Sequence, residues 1–254
     1  MKNKRIIAIV AVVLFTIVYF VLEFSSDIKF LNIAKSFGAL DGRAFLVALA
    51  KLLPTFSIFL ILLFQAFKPR VGENDFSHGA RLLPVLLALA FSMTGDVFGE
   101  MKSVFGDSAF LMQIAFFAVA QVFYCISFAR HCCGRRQGVC GKGERALKIA
   151  GSALLACYLV AIAAIILNAI DSDILKVAVP VYLCVIGAMG FLCIGQKRPG
   201  QVWMVLGALS FIASDSVLAI NAFVSRVPHS CLIIMTTYYL AQLLLNITLV
   251  EGRE

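Results

Sequence analysis

Residues 202–223 read VWMVLGALSFIASDSVLAINAF, 22 positions with a single charge at Asp215. As a helix this run extends roughly 33 Å, the thickness of the hydrocarbon core of a bilayer. Seven further stretches are long and apolar enough to do the same: 6–22, 46–67, 82–98, 109–130, 147–169, 175–195 and 231–250. Together they explain a composition of 61% hydrophobic and 14% charged residues over 254 positions. An ordinary soluble domain is ~45–50% apolar and ~25% charged, so a soluble fold is excluded, as are disorder and a disulfide-stapled secreted domain. No stretch alternates with period two, which argues against a β-barrel. The sequence predicts an all-α integral membrane protein, one domain over 1–254 with eight transmembrane helices.

Charge supplies the orientation. With eight alternating spans, 15 of the 22 lysines and arginines fall on the side of the two termini and six on the other, Lys51 lying inside a span. That bias places both termini in the cytoplasm. The net charge of +8 is then mostly a topology signal, and no basic run is interleaved with aromatics as nucleic-acid binding requires. The first span follows Met-Lys-Asn-Lys-Arg like a signal peptide but lacks a small-residue cleavage site, so it reads as a retained helix. Residues 23–45 have the spacing of a short helix lying in the interface. Loop 131–145 reads as a basic cytoplasmic loop; its thiols match no four-ligand zinc pattern, and palmitoylation of Cys132 or Cys133 stays open. The remaining cysteines sit in or at the edge of spans as small apolar filler.

Apart from helix ends, three ionisable residues stand inside the spans: Lys51, Asp96 and Asp215. Each costs at least ~2.5–3.5 kcal/mol at the centre of a bilayer. The topology places all three in the outer half. Neutral polar residues thicken the pattern: Ser92 in the third span, Gln113, Gln121 and Tyr124 in the fourth, and Tyr182 in the sixth. Ser210, Ser214 and Asn221 follow in the seventh, then Tyr238, Gln242 and Asn246 at i, i+4, i+8 in the eighth. The expectation is one polar cavity lined by spans 2, 3, 4, 6, 7 and 8, with spans 1 and 5 as scaffold. One ammonium and two carboxylates sum to −1, which favours taking up one proton. One aspartate is then expected to be ionised and paired with Lys51, and the other neutral, the division that acid–base catalysis uses. The three histidines, His78, His131 and His229, fall in predicted loops, so a Ser-His-Asp triad or an intramembrane zinc site has no ligand inside the spans.

Several of these segments resemble a known family. Ser92-Met93-Thr94-Gly95-Asp96 resembles the "GD" signature that closes the third helix of YhhN-like membrane proteins, the lysoplasmalogenase family. Gly207-Ala208-Leu209-Ser210-Phe211-Ile212-Ala213-Ser214-Asp215 is similar to its "GA-x-x-F-x-x-SD" motif, and Tyr238-Tyr239-Leu240-Ala241-Gln242-Leu243-Leu244 to its "YY-x-x-Q-x-L" ending. Val179-Pro180-Val181-Tyr182 with Met189 fits the sixth helix, and the likeness runs over about 46–250. Two positions depart: Lys51-Leu52-Leu53-Pro54 stands where the family often has Lys-Pro, and Gln121 precedes Tyr124 where it often has a histidine.

The resemblance implies hydrolysis of the vinyl-ether bond of a lysoplasmalogen to a fatty aldehyde and a glycerophospho-ethanolamine or -choline. Asp96 and Asp215 would be the catalytic carboxylates, without a metal or cofactor. Lys51, Gln121, Tyr124, Tyr182, Asn221, Tyr238 and Gln242 would bind and orient the lysophospholipid. A bacterial inner membrane and the endoplasmic reticulum are both compatible locations. The alternative is a proton-coupled transporter of a small molecule or lipid that uses Asp96 and Asp215 as proton sites.

Overall fold

The computed structural model describes residues 2–24, 42–67, 75–106, 108–133, 142–197 and 200–250. Most of the region expected as an interfacial helix, 25–41, and the loop 134–141 between its flanking helices lie outside them. Helices α1 (Lys2–Phe24), α2 (Gly42–Ala66) and α3 (Asp75–Glu100) are followed by a single turn, α4 (Lys102–Phe105). Then come α5 (Ser108–Cys133), α6 (Lys142–Leu167), α7 (Asp173–Gly195), α8 (Gln201–Ala219) and α9 (Ser230–Val250). Eight of these, all but α4, are long and apolar enough to cross a membrane.

The helices overrun the apolar stretches. α3 begins at Asp75 rather than 82, α5 runs to Cys133, and α6 begins at Lys142. His78 and His131 therefore lie in helix ends and not in loops. Backbone hydrogen bonding continues past the hydrocarbon boundary, where polar side chains no longer oppose it, so composition underestimates helix length.

α3 packs mainly on α5, and α8 on α9, while α2 contacts α1, α3 and α9. α1 and α6 form the periphery: 17% of each span is buried, against 50% for α3 and α9. The pairing of α8 with α9 depends on Gly207. A Cβ there would stand 2.8 Å from the backbone nitrogen of Leu245, so only a residue without a side chain lets the two helices approach so closely. Ser214 Oγ adds a bond to the Ile234 carbonyl at 3.0 Å across the same seam.

Three prolines interrupt helical ladders, Pro54, Pro84 and Pro180. Each removes a backbone donor, and membrane helices compensate with side chains. Near Pro54, Ser57 Oγ donates to the Pro54 carbonyl at 2.6 Å, and the Tyr239 hydroxyl of α9 donates to the Lys51 carbonyl at 2.9 Å. α8 ends in a π-turn, Ile220–Val224, closed by Ser225 N–H to the Ile220 carbonyl at 3.0 Å.

Candidate active site

Two carboxyls in the bundle are each held by a tyrosine from a different helix. On α3, Asp96 Oδ2 accepts the Tyr238 hydroxyl of α9 at 2.7 Å. On α8, Asp215 Oδ2 accepts the Tyr182 hydroxyl of α7. The pairs differ in access. Asp96 and Tyr238 are sealed, at 3% exposure each. Asp215 and Tyr182 are only partly buried, because both face a cavity of about 50 Å³. A water needs ≳10–15 Å³ of such space, so the cavity has room for a few. Its other polar lining is Gln113 and Ser216, and its walls are apolar, Phe117, Ile162 and Ile166 among them.

A single cavity shared by both carboxylates is therefore not what the structure holds. Asp96, Lys51, Gln121, Tyr124, Tyr238 and Gln242 are absent from the lining of the Asp215 cavity. The reason is aromatic packing. The rings of Phe117, Phe211 and Tyr238 meet edge to face, with centroids 5.6–6.2 Å apart, and Phe117 belongs both to this cluster and to the wall of the Asp215 cavity. The scaffold role expected of the fifth span also needs correction, since α6 supplies Ile162 and Ile166 to the cavity wall. The first span is not mere scaffold either: Tyr19 of α1 is buried against Tyr239, with ring centroids 6.1 Å apart, and its hydroxyl lies 3.4 Å from Cys231 Sγ.

Lys51 makes its ion pair with Glu100, Nζ to Oε1 2.8 Å, and not with either aspartate. Glu100 falls two residues past the apolar stretch 82–98. The signal was available: Glu100 lies four residues after Asp96, so the two share a face of α3. The charge sum over Lys51, Glu100, Asp96 and Asp215 is −2, not −1, and the aspartates contact tyrosines instead of a cation. The pair predicts a double-mutant result. Lys51→Met leaves Glu100 uncompensated, and Glu100→Gln does the same to Lys51. Each single change is expected to cost about 1–2 kcal/mol, below the ~3–5 of a fully buried pair because the Glu100 side chain is 30% exposed. The double variant should lose less than the two singles added, read as thermal unfolding in detergent. Additive losses would mean the pair contributes nothing.

Deeper in the bundle, the Tyr124 hydroxyl donates to Gln242 Oε1 at 2.7 Å and accepts from Asn246 Nδ2 at 3.0 Å. These three bond one another, leaving Asn246 Oδ1 unpaired, and neither carboxylate is among their hydrogen-bond partners. Gln121 is fully buried with both amide atoms unpaired, and Gln242 Nε2 and Ser92 Oγ are also unpaired. Asn221 sits in the π-turn, where its Oδ1 accepts the Val227 N–H at 3.0 Å and fixes the connection to α9. Among the described residues no three of His, Cys, Asp and Glu gather into a group able to hold a metal. Cys125, Cys157, Cys184, Cys193 and Cys231 form no disulfide.

An all-helical bundle with eight helices long and apolar enough to cross a membrane, and with two carboxyls near helix ends each bound by a tyrosine, defines the class: a polytopic membrane protein. The chain belongs to the YhhN family, whose family model matches residues 46–249. It is similar to human "Lysoplasmalogenase TMEM86A", 42% identical over 83 residues that make up 30% of this chain and 35% of that protein. The cow protein of the same name is 41% identical over the same shares. Pig "Lysoplasmalogenase TMEM86B" is 44% identical over 59 residues, 23% of this chain and 25% of the relative. The chain thus spans about a third or less of the length of these curated relatives. No solved structure matches.

Proposed function

We propose that the protein is a lysoplasmalogenase-like hydrolase that cleaves the vinyl-ether bond of a lysoplasmalogen within the membrane, without a metal or cofactor. The observation that carries this reading is the Asp215–Tyr182 pair opening into a small cavity with room for water in an otherwise apolar bundle. Family membership and the names of the relatives support the choice of substrate.

Vinyl ethers hydrolyse through protonation of the β-carbon. Asp215, carrying a proton, delivers it there; the double-bond electrons form the new C–H bond, and an oxocarbenium ion remains. Phe117 lines the cavity and places a ring beside this cation. Water adds to the carbon bearing the ether oxygen and loses a proton to Asp215, now a carboxylate. The hemiacetal then collapses to aldehyde, and the glycerol oxygen leaves as an alcohol. One residue acts as acid and then as base, as in the two-carboxylate division of glycoside hydrolysis. Asp96, held by Tyr238 behind Phe117, adds negative charge that favours the cation without touching it. The unpaired amide atoms of Gln121 and Gln242 are suited to the glycerol hydroxyl and phosphate. Tyr124 holds Gln242 in place, and Lys51, tied to Glu100, meets the head group as a point charge.

The purified protein in detergent, given a 1-alkenyl lysophospholipid, should release fatty aldehyde with no ion gradient. Absence of aldehyde from a well-folded preparation across pH 5–8 would remove the enzyme reading and leave the proton-coupled transporter, which needs a sealed compartment.

A further inference from the structure

A groove of about 750 Å³ runs between α6 and α8, on the far side of α7 contacts that both helices share. Its walls are apolar and face the bilayer: Leu147 and Leu154 on α6, Val202, Leu206 and Leu209 on α8. It runs along α8 from Gln201 to Ile212, roughly 16 Å of helix, about half the thickness of a hydrocarbon core. Ile212, near one end of the groove, also lines the Asp215 cavity. The two spaces are thus separated by one layer of side chain.

That layer is built over a glycine. A Cβ on Gly190 of α7 would stand 2.8 Å from Leu155 Cδ2 and 3.3 Å from Ile212 Cδ1, so the missing side chain lets α6 and α8 close over α7 at this point. Ile212 is the side chain the two spaces share, and Leu155 packs beside it over Gly190.

We propose that this groove holds the hydrocarbon chain of the single-chain ether lipid, with the ether end at Asp215 and the chain end between Leu147 and Val202. The identity of the lipid rests on the hydrolase reading above; the seat of the chain does not. The direction follows from the hydrolase reading: the ether must reach Asp215, so the chain takes the end toward Leu147 and Val202. The head group then lies beyond Asp215, away from the groove.

The test is photolabelling of the whole protein in detergent with a saturated 1-alkyl lysophosphoethanolamine carrying a diazirine at its chain end, an ether that cannot be cleaved. Label is expected on the peptides of Leu147–Leu154 and Val202–Leu209, competed by a plain alkyl lysolipid and not by a diacyl phospholipid. Leu206→Trp and, separately, Leu209→Trp fill the groove and should cut the label at least fivefold. They should also raise KM more for a sixteen-carbon alkenyl substrate than for an eight-carbon one. Label elsewhere, or equal competition by diacyl lipid, would overturn the proposal, the latter because the groove then holds bulk bilayer. The wild-type label map decides the matter even if neither tryptophan variant folds. Label as expected from a protein that makes no aldehyde would keep the groove and sink the hydrolase.

Discussion

Asp215→Asn is expected to abolish aldehyde release, with a loss of about 10²–10⁴-fold, the usual size of a general acid–base contribution. The amide keeps the shape of the carboxyl and still accepts the Tyr182 hydroxyl, so the fold should survive; what it lacks is a proton to give to carbon. Asp96→Asn should cost far less, about tenfold, because Asp96 is sealed behind Phe117 and acts on the cation only through its charge. Tyr182→Phe should fall between the two: the acid remains but is no longer oriented. The order Asp215, Tyr182, Asp96 is the content of the prediction. It is read as kcat of purified variants whose thermal unfolding matches wild type. Equal losses at the two aspartates would restore the symmetric two-carboxylate scheme that the bare sequence implied. Activity surviving in Asp215→Asn would sink the mechanism and leave the family membership untouched.

That difference between the symmetric and asymmetric schemes shows where the sequence stops informing. Eight spans were legible because bilayer thickness sets a length that no soluble helix has to meet. Asp96 and Asp215 were legible because an aspartate in hydrocarbon is costly and cannot snorkel. What was not legible depends on side chains meeting across helices. Glu100 stands just past an apolar run, and the helix carries on to reach it and turns it toward Lys51. The aromatic cluster beside Asp96 is made by Phe117, Phe211 and Tyr238 from three helices, and nothing in their separate runs says that they converge. Asn221 read as a polar residue inside a span. The π-turn that employs it in holding a loop exists only through the i to i+5 bond from Ser225, which no apolar pattern encodes. The Tyr124–Gln242–Asn246 cluster read as lining, and the structure spends most of its hydrogen bonds inside the cluster.

The second large effect concerns packing. Gly207→Ala adds one methyl, and that methyl would meet Leu245 N at 2.8 Å, Leu245 Cγ at 3.0 Å and Leu244 Cβ at 3.1 Å. A flexible side chain yields to such a contact; a backbone nitrogen in a helix does not. α8 and α9 must part or slide, at a cost of about 1–3 kcal/mol or more for overpacking. For a chain of this size that lowers the unfolding midpoint by about 2–12 °C. Activity should fall as well, since Asp215 lies two turns beyond Gly207 and Tyr238 two turns before Leu245, so the same seam sets the distance between the two tyrosine–carboxyl pairs. Gly143→Ala is the control. A Cβ there meets nothing within 4 Å, and alanine is the better helix former, so the variant should be neutral or slightly more stable. The single tryptophan, Trp203, sits at the start of α8 and reports the unfolding of that helix directly. If Gly207→Ala unfolds with wild-type Trp203 fluorescence at the wild-type temperature, the close approach of α8 and α9 is not what holds the site together.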